Sequence, residues 1–121
     1  MGRPREHDEH TAAALLAAAE RAIENGGSEA LAEFERRYAG EHLPLVAGTP
    51  GLRSTEVRRV SEALGAETDL VLITAMRFDD RAALDAGLAS DAMRAAGRNL
   101  REIAPGLAML LVLEDADDLL P

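Results

Sequence analysis

Two segments of this chain are apolar on both faces of an extended strand, and they restrict its fold more than any other feature. In Asp69–Phe78 one parity carries Leu70, Leu72, Thr74, Met76 and Phe78, and the other Val71, Ile73, Ala75 and Arg77. Leu107–Glu114 repeats the property, with Leu107, Met109, Leu111 and Leu113 set against Ala108, Leu110 and Val112. Such strands need cover above and below. At 121 residues the chain has room for one domain whose two or three helices cover one face of a sheet. The other face calls for a second copy of the chain, so the pattern predicts a homodimer.

The remaining elements follow from caps and breakers. Residues 2–10 are charged. From Ala12 to Ala22 seven of eleven residues are alanine, Thr11 is a plausible N-cap and Asn25-Gly26-Gly27 a stop, which locally reads as a helix over 12–25. Ser28 then caps a helix to about Gly40 with Leu31, Phe34 and Tyr38 as its apolar stripe. Leu43 precedes Pro44 and is expected to leave that helix, placing His42 at its C-terminal edge. Thr49-Pro50-Gly51 reads as a turn, and Leu52–Val60, mostly polar with Thr55, Val57 and Val60 interleaved, as an edge strand. Asp79-Asp80 caps a helix through Leu88, Ser90-Asp91 restarts it through Ile103, and Pro105-Gly106 ends it. The expected organisation is a tail and alanine-rich segment over 1–27, an α+β domain over 28–115 and an acidic, partly apolar tail over 116–121.

Composition removes several function classes. There is no cysteine, hence no disulfide, thiolate metal site or thiol nucleophile. A formal charge of −9 opposes nonspecific binding to nucleic acid or an anionic membrane. No apolar run approaches the roughly 20 residues of a membrane helix, and residues 1–6 lack the apolar core of a signal peptide, so a cytoplasmic location is expected. Lysine is absent and all thirteen cations are arginine.

From Ser28 the order is helix, strand, strand, helix, strand: a ferredoxin-like βαββαβ unit whose first strand is hard to see. Phe34-Glu35-Arg36-Arg37-Tyr38-Ala39-Gly40-Glu41-His42-Leu43-Pro44-Leu45-Val46, then Pro50-Gly51-Leu52-Arg53, then the strand ending Arg77-Phe78-Asp79-Asp80, resemble the EthD family of dimeric α/β-barrel proteins. The resemblance spans residues 34–115. It implies a homodimer whose two sheets close into a barrel. It also implies a pocket between sheet and helices for a small, often hydrophobic organic molecule, and catabolic or oxygenase- and cyclase-type chemistry without a cofactor. A family strand belongs just before Gly26, where this chain carries its alanine-rich segment, so the first strand is either atypical or replaced by a helix. Residues 2–30 resemble instead the N-terminal helix of TetR-type regulators. Ser54–Gly65 could be pressed into the role of a recognition helix, but Val57 and Val60 also suit a strand and the net charge opposes DNA, so no nucleic-acid partner is expected.

Among candidate site residues His42 comes first. It is the only histidine within 28–115, and an imidazole can exchange a proton near neutral pH. On sequence alone a helix-end histidine bonded to terminal carbonyls accounts for it as well. Tyr38, one turn earlier, faces the same way and can set a phenol beside it. Phe34, Leu45, Met76, Phe78 and Met109 are the expected lining of a ligand pocket, with core packing the competing role for each. Arg37 and Glu41 read as a surface ion pair. His7 and His10 match no closed metal-site spacing, so no metal and no cofactor are expected.

Overall fold

The structure is a computed structural model that describes residues 13–18 and 20–121, with side chains described from Glu29 onward. The charged tail with His7 and His10 lies outside the described residues.

Ala13–Ala18 is a strand, β1, not the first turns of a helix. It is antiparallel to Leu72–Phe78 (β3) on one side, from Ala13 opposite Arg77 to Ala18 opposite Leu72. On its other side it is antiparallel to Met109–Leu113 (β4), from Ala13 opposite Leu113 to Ala17 opposite Met109. Alanine's intrinsic preference for helix is overridden because an interior strand pairs its backbone along both edges, and propensity is worth only tenths of a kcal/mol per residue. The first strand that the sequence hides is therefore present. With Leu52–Arg59 (β2) the sheet order is β2-β3-β1-β4, the ferredoxin-like arrangement.

The helix expected from Ser28 begins earlier, at Glu20, and runs through Gly26, Gly27 and Ser28 to Arg37 as α1. The glycine pair does not stop it, and Ser28 is not its cap. Two glycines weaken a helix by roughly 1 kcal/mol each relative to alanine. Downstream anchoring compensates: Phe34 and Tyr38 are buried at 3% exposure and Leu31 packs against them.

The chain does not leave the helix at Leu43. A π turn, Tyr38–His42, leads directly into a short helix, Leu43–Ala47 (α2), and Leu43 itself is helical at φ −61, ψ −38. Pro44 has no N–H to give, and its ring crowds the carbonyl four residues back. Widening the turn by one residue, with the Leu43 N–H donating to the Tyr38 carbonyl, lets the ribbon continue past the proline. His42 consequently sits inside a continuous helical segment, and its candidate role as a bonded helix-end histidine does not apply.

The remaining punctuation works as expected. The Leu52 N–H donates to the Thr49 carbonyl at 3.3 Å with Gly51 at φ +81, a conformation that suits glycine after Pro50. Asp80 caps Arg81–Leu88 (α3) by accepting from the Ala83 N–H at 2.8 Å, and Ser90 caps Asp91–Ile103 (α4) by accepting from the Met93 N–H at 3.1 Å. A 3₁₀ turn, Asp117–Leu119, follows β4.

The helices cover one face of the sheet. Leu72, Thr74, Met76 and Phe78 of β3 point into two packed clusters, one around Phe34, Tyr38 and Leu100, the other around Val46, Leu84 and Ala96. The alternate parity, Ile73, Ala75 and Arg77, is half-buried or exposed. Every residue of β4 is exposed, from 39% at Leu113 to 51% at Met109.

Candidate functional site

The π turn places Tyr38 and His42 side by side, ring centroids 4.7 Å apart and tilted by 32°. His42 is 2% exposed, and neither ring nitrogen has a hydrogen-bond partner among the described residues. A buried polar group normally finds one, and π turns are enriched at functional sites, so an orphaned imidazole here needs an explanation. Burial holds its pKa below the ordinary histidine value. The Asn99 side chain and the Ala96 backbone favour the charged ring in the opposite sense, but neither reaches hydrogen-bond geometry with it. At neutral pH His42 is therefore a neutral base.

What His42 faces is a cavity of about 460 Å³. Its buried side is made by His42, Val46, Met76 and Ala96. Along α4 the wall continues through Met93, Gly97, Leu100 and Arg101. Its open side is formed by Gly106, Ala108, Met109 and Leu110, where the chain enters β4. The cavity lies where α4 turns small residues, Ala96 and Gly97, toward a sheet edge that no described helix covers. Among the described residues its lining is apolar apart from His42 and Arg101.

A polar network lies next to the imidazole. Arg37 donates twice to Glu41, at 3.0 Å from both Nε and Nη2, and Glu41 also accepts from Asn99 Nδ2 at 2.9 Å. The bond from Arg37, and then that from Asn99, hold the Glu41 carboxyl below its usual range. The expectation of a surface ion pair is met, with Asn99 as an addition that the sequence did not disclose. Asn99 Oδ1 is itself buried and without a partner among the described residues, so two such groups, the amide oxygen and the imidazole, lie in the same region between the π turn and α4.

Of the expected pocket residues, Met76 and Met109 reach this cavity with His42. Phe34, Phe78 and Leu45 do not. Phe34 stacks on Tyr38 at 5.4 Å, Phe78 is sealed in the core at 1% exposure, and Leu45 packs against that core. Phe34 and Phe78 are taken up by close packing within the two core clusters, and Leu45 lies at the margin of one of them. Tyr38 stands beside His42 but commits its hydroxyl elsewhere, 2.6 Å from Thr74 Oγ1, and lines a separate dent of about 280 Å³ with Leu43, Val57 and Arg59. Burial raises its pKa, with the Thr74 bond opposing in part, so the phenol stays protonated. Sequence reasoning missed Ala96, Gly97, Leu100 and Arg101 of the α4 wall. Their signal was present: Met93, Ala96, Gly97, Leu100 and Arg101 recur at spacings of three and four with small residues in the middle.

No family model matches the sequence, and no curated protein matches it. Solved structures do resemble it. An ethyl tert-butyl ether D (EthD) family protein from Bacillus halodurans is 23% identical with a TM-score of 0.73, over 88% of this chain and 99% of the other. A dimeric ferredoxin-like protein of unknown function from Jannaschia is 19% identical with a TM-score of 0.57, over 87% of this chain and 99% of the other. A mutant of SnoaB, a cofactor-independent oxygenase from Streptomyces nogalater, is 19% identical with a TM-score of 0.56, over 94% and 98%. At these identities the likeness establishes a fold: a ferredoxin-like α+β domain of the kind seen in an EthD family protein.

Proposed function

We propose that this protein binds a small, largely apolar organic molecule in the cavity beside His42, as a homodimer, and that His42 accepts a proton or a hydrogen bond from it. The observation that carries this reading is the buried imidazole, without a partner on either nitrogen among the described residues, against an apolar cavity of about 460 Å³, the size of a small-molecule site. A neutral imidazole there is a base whose proton acceptor is unoccupied by the protein. Chemistry at such a site would be proton abstraction from an acidic C–H or O–H group. The cofactor-independent oxygenase among the structural neighbours is consistent with that class of reaction.

The dimer is supported by the other face of the sheet. Pairing through β1 puts Leu111 and Leu113 of β4 on the same side as Ile73, Ala75 and Arg77 of β3, away from the helices. A largely apolar face of this kind is a candidate interface, and two structural neighbours are described as dimeric.

A second reading, a binding protein without turnover, is favoured by Tyr38: its hydroxyl is held by Thr74, which leaves His42 without the second proton-transfer group expected beside it. The test uses methyl-labelled methionine. Three of the four methionines, Met76, Met93 and Met109, line the cavity, and the fourth is Met1. Titration with 1-naphthol is expected to move the three methyl resonances. If none of the three moves, the cavity is not a ligand site. Consumption of 1-naphthol in air by the native protein but not by His42→Ala, with the methyl shifts retained in both, selects the enzyme over the binding protein.

A further inference from the structure

Resting on the cavity reading above, the geometry points to a ligand that is not merely apolar: we infer that it carries an anionic group, such as a carboxylate, sulfonate or phenolate, held at the cavity mouth by Arg101. Arg101 is the one charged side chain among the described residues that line the cavity. Arg77 and Arg98 are, like Arg101, without an ion pair among the described residues, but neither lines the cavity. Acidic residues outnumber arginines 22 to 13. Arginines on α1, β2, α3 and α4 are committed to carboxylates: Arg37 to Glu41, Arg59 to Glu35, Arg81 to Asp85 and Arg94 to Asp91. Arg101 has no ion pair or hydrogen bond among the described residues, although it shares α4 with Arg94.

Nor does it extend away from the protein. Its Nη1 lies 3.7 Å from the point where a Cβ on Gly97 would stand, so the guanidinium folds back by one helical turn over the gap that Gly97 leaves in the wall. A larger residue at 97 would fill that gap. The result is an apolar chamber with a neutral hydrogen-bonding group, His42, on its buried side and a fork of unpaired N–H donors at its open side. Guanidinium is built for two-point contact with planar oxyanions, and beside a low-dielectric wall that contact is stronger than in open water. In a protein with a net charge of −9, an anionic ligand would otherwise be repelled, so a local cation at the entrance has a definite task. The ligand class that matches is an aromatic or aliphatic acid, its body in the chamber and its anion at the rim.

A matched pair of dyes tests this: 1-anilinonaphthalene-8-sulfonate and its uncharged parent N-phenyl-1-naphthylamine, which differ by the sulfonate alone. Binding is followed by fluorescence and by the methyl signals of Met76 and Met93. Arg101→Gln is expected to weaken the sulfonate dye about tenfold, the scale of one charge-assisted contact, and the neutral dye less than about twofold. Arg101→Lys should recover part of the loss, and added salt should weaken the sulfonate dye in the native protein but not in Arg101→Gln. Arg101 is exposed, so neither variant threatens folding. If the neutral dye shifts the Met76 and Met93 signals but Arg101→Gln changes both dyes equally, or neither, the anion site is overturned while the cavity stands. If neither dye moves those signals, both are overturned.

Discussion

β3 and β4 are the same kind of strand in sequence and opposite kinds in the structure. Both are apolar on both faces, yet β3 buries Leu72, Thr74, Met76 and Phe78, while every residue of β4 is at least 39% exposed. Position accounts for the difference. β3 lies inside the sheet under α3 and the π turn, whereas β4 is an edge strand that the helices do not reach. The apolar surface of β4 that the described residues leave uncovered has two parts: Met109 and Leu110 border the cavity, and Leu111 and Leu113 face away from it. A strand whose hydrophobicity exceeds its own subunit's needs marks where the molecule meets something else.

Phe78→Ala is expected to cost about 3–5 kcal/mol, because the ring is fully packed and its loss leaves a void against Leu84 and Gly87. Urea denaturation measures it, and a loss below about 1 kcal/mol would mean that the β3 face is not closely packed. At β4 the matching change, Leu111→Asp, should leave the folded monomer intact and abolish the dimer. Sedimentation would show a single species at the monomer mass, and a dimer that survived the charge would place the interface elsewhere.

Crowding at the β3 face is open to the reverse experiment. A Cβ at Gly87 would stand 2.6 Å from Phe78 Cε2 and 3.1 Å from Thr49 Cγ2. Gly87→Ala should therefore destabilise by about 1–3 kcal/mol through overpacking, despite being a helix-favouring change. A neutral or positive shift in melting temperature would show that the Phe78 ring has room to move. Tyr38→Phe removes the buried 2.6 Å bond to Thr74 and strands that hydroxyl, for a loss of about 1–2 kcal/mol. Since Tyr38 lines the other dent, affinity for 1-naphthol should not change.

The smallest effect is in pH. His42 has its pKa lowered by folding, so in the acid range the unfolded chain binds a proton that the native protein resists. Stability therefore rises with pH: the contribution is intact above the unfolded value of about 6.5 and is lost as pH falls through the lower native value. His42→Gln should flatten the stability profile between about pH 6.5 and the acid limb. A native protein whose stability is level across that interval, or rises toward acid, would indicate that the imidazole is not desolvated as its burial implies.

The legible parts of this protein are those decided by neighbours in sequence. Pro50-Gly51 makes its turn, Asp80 and Ser90 cap their helices, Leu31, Phe34 and Tyr38 form one stripe, and β3 is extended where alternation and β-branching ask for it. In each case the deciding interaction is a dihedral preference or a hydrogen bond within four residues. The site was legible only in part: His42 stood out as the lone histidine of the domain, and Met76 and Met109 accompany it, but nothing local separates those two from Phe34 and Phe78, which the core consumes.

What sequence alone determined is thus the caps, the turns, the apolar strands and the excess of apolar surface that calls for a partner. Tertiary structure decided the rest. It made a strand of Ala13–Ala18, because two flanking strands supply backbone partners that outweigh alanine's preference for helix. It carried the helix past Pro44 through a π turn, and so turned His42 inward against α4. Asn99 and Arg101 joined the site the same way, brought there by the packing of a helix more than fifty residues further along the chain. Local preferences are too weak to fix such long-range choices, and the strand edges and cavity walls that fix them exist only once the sheet has formed.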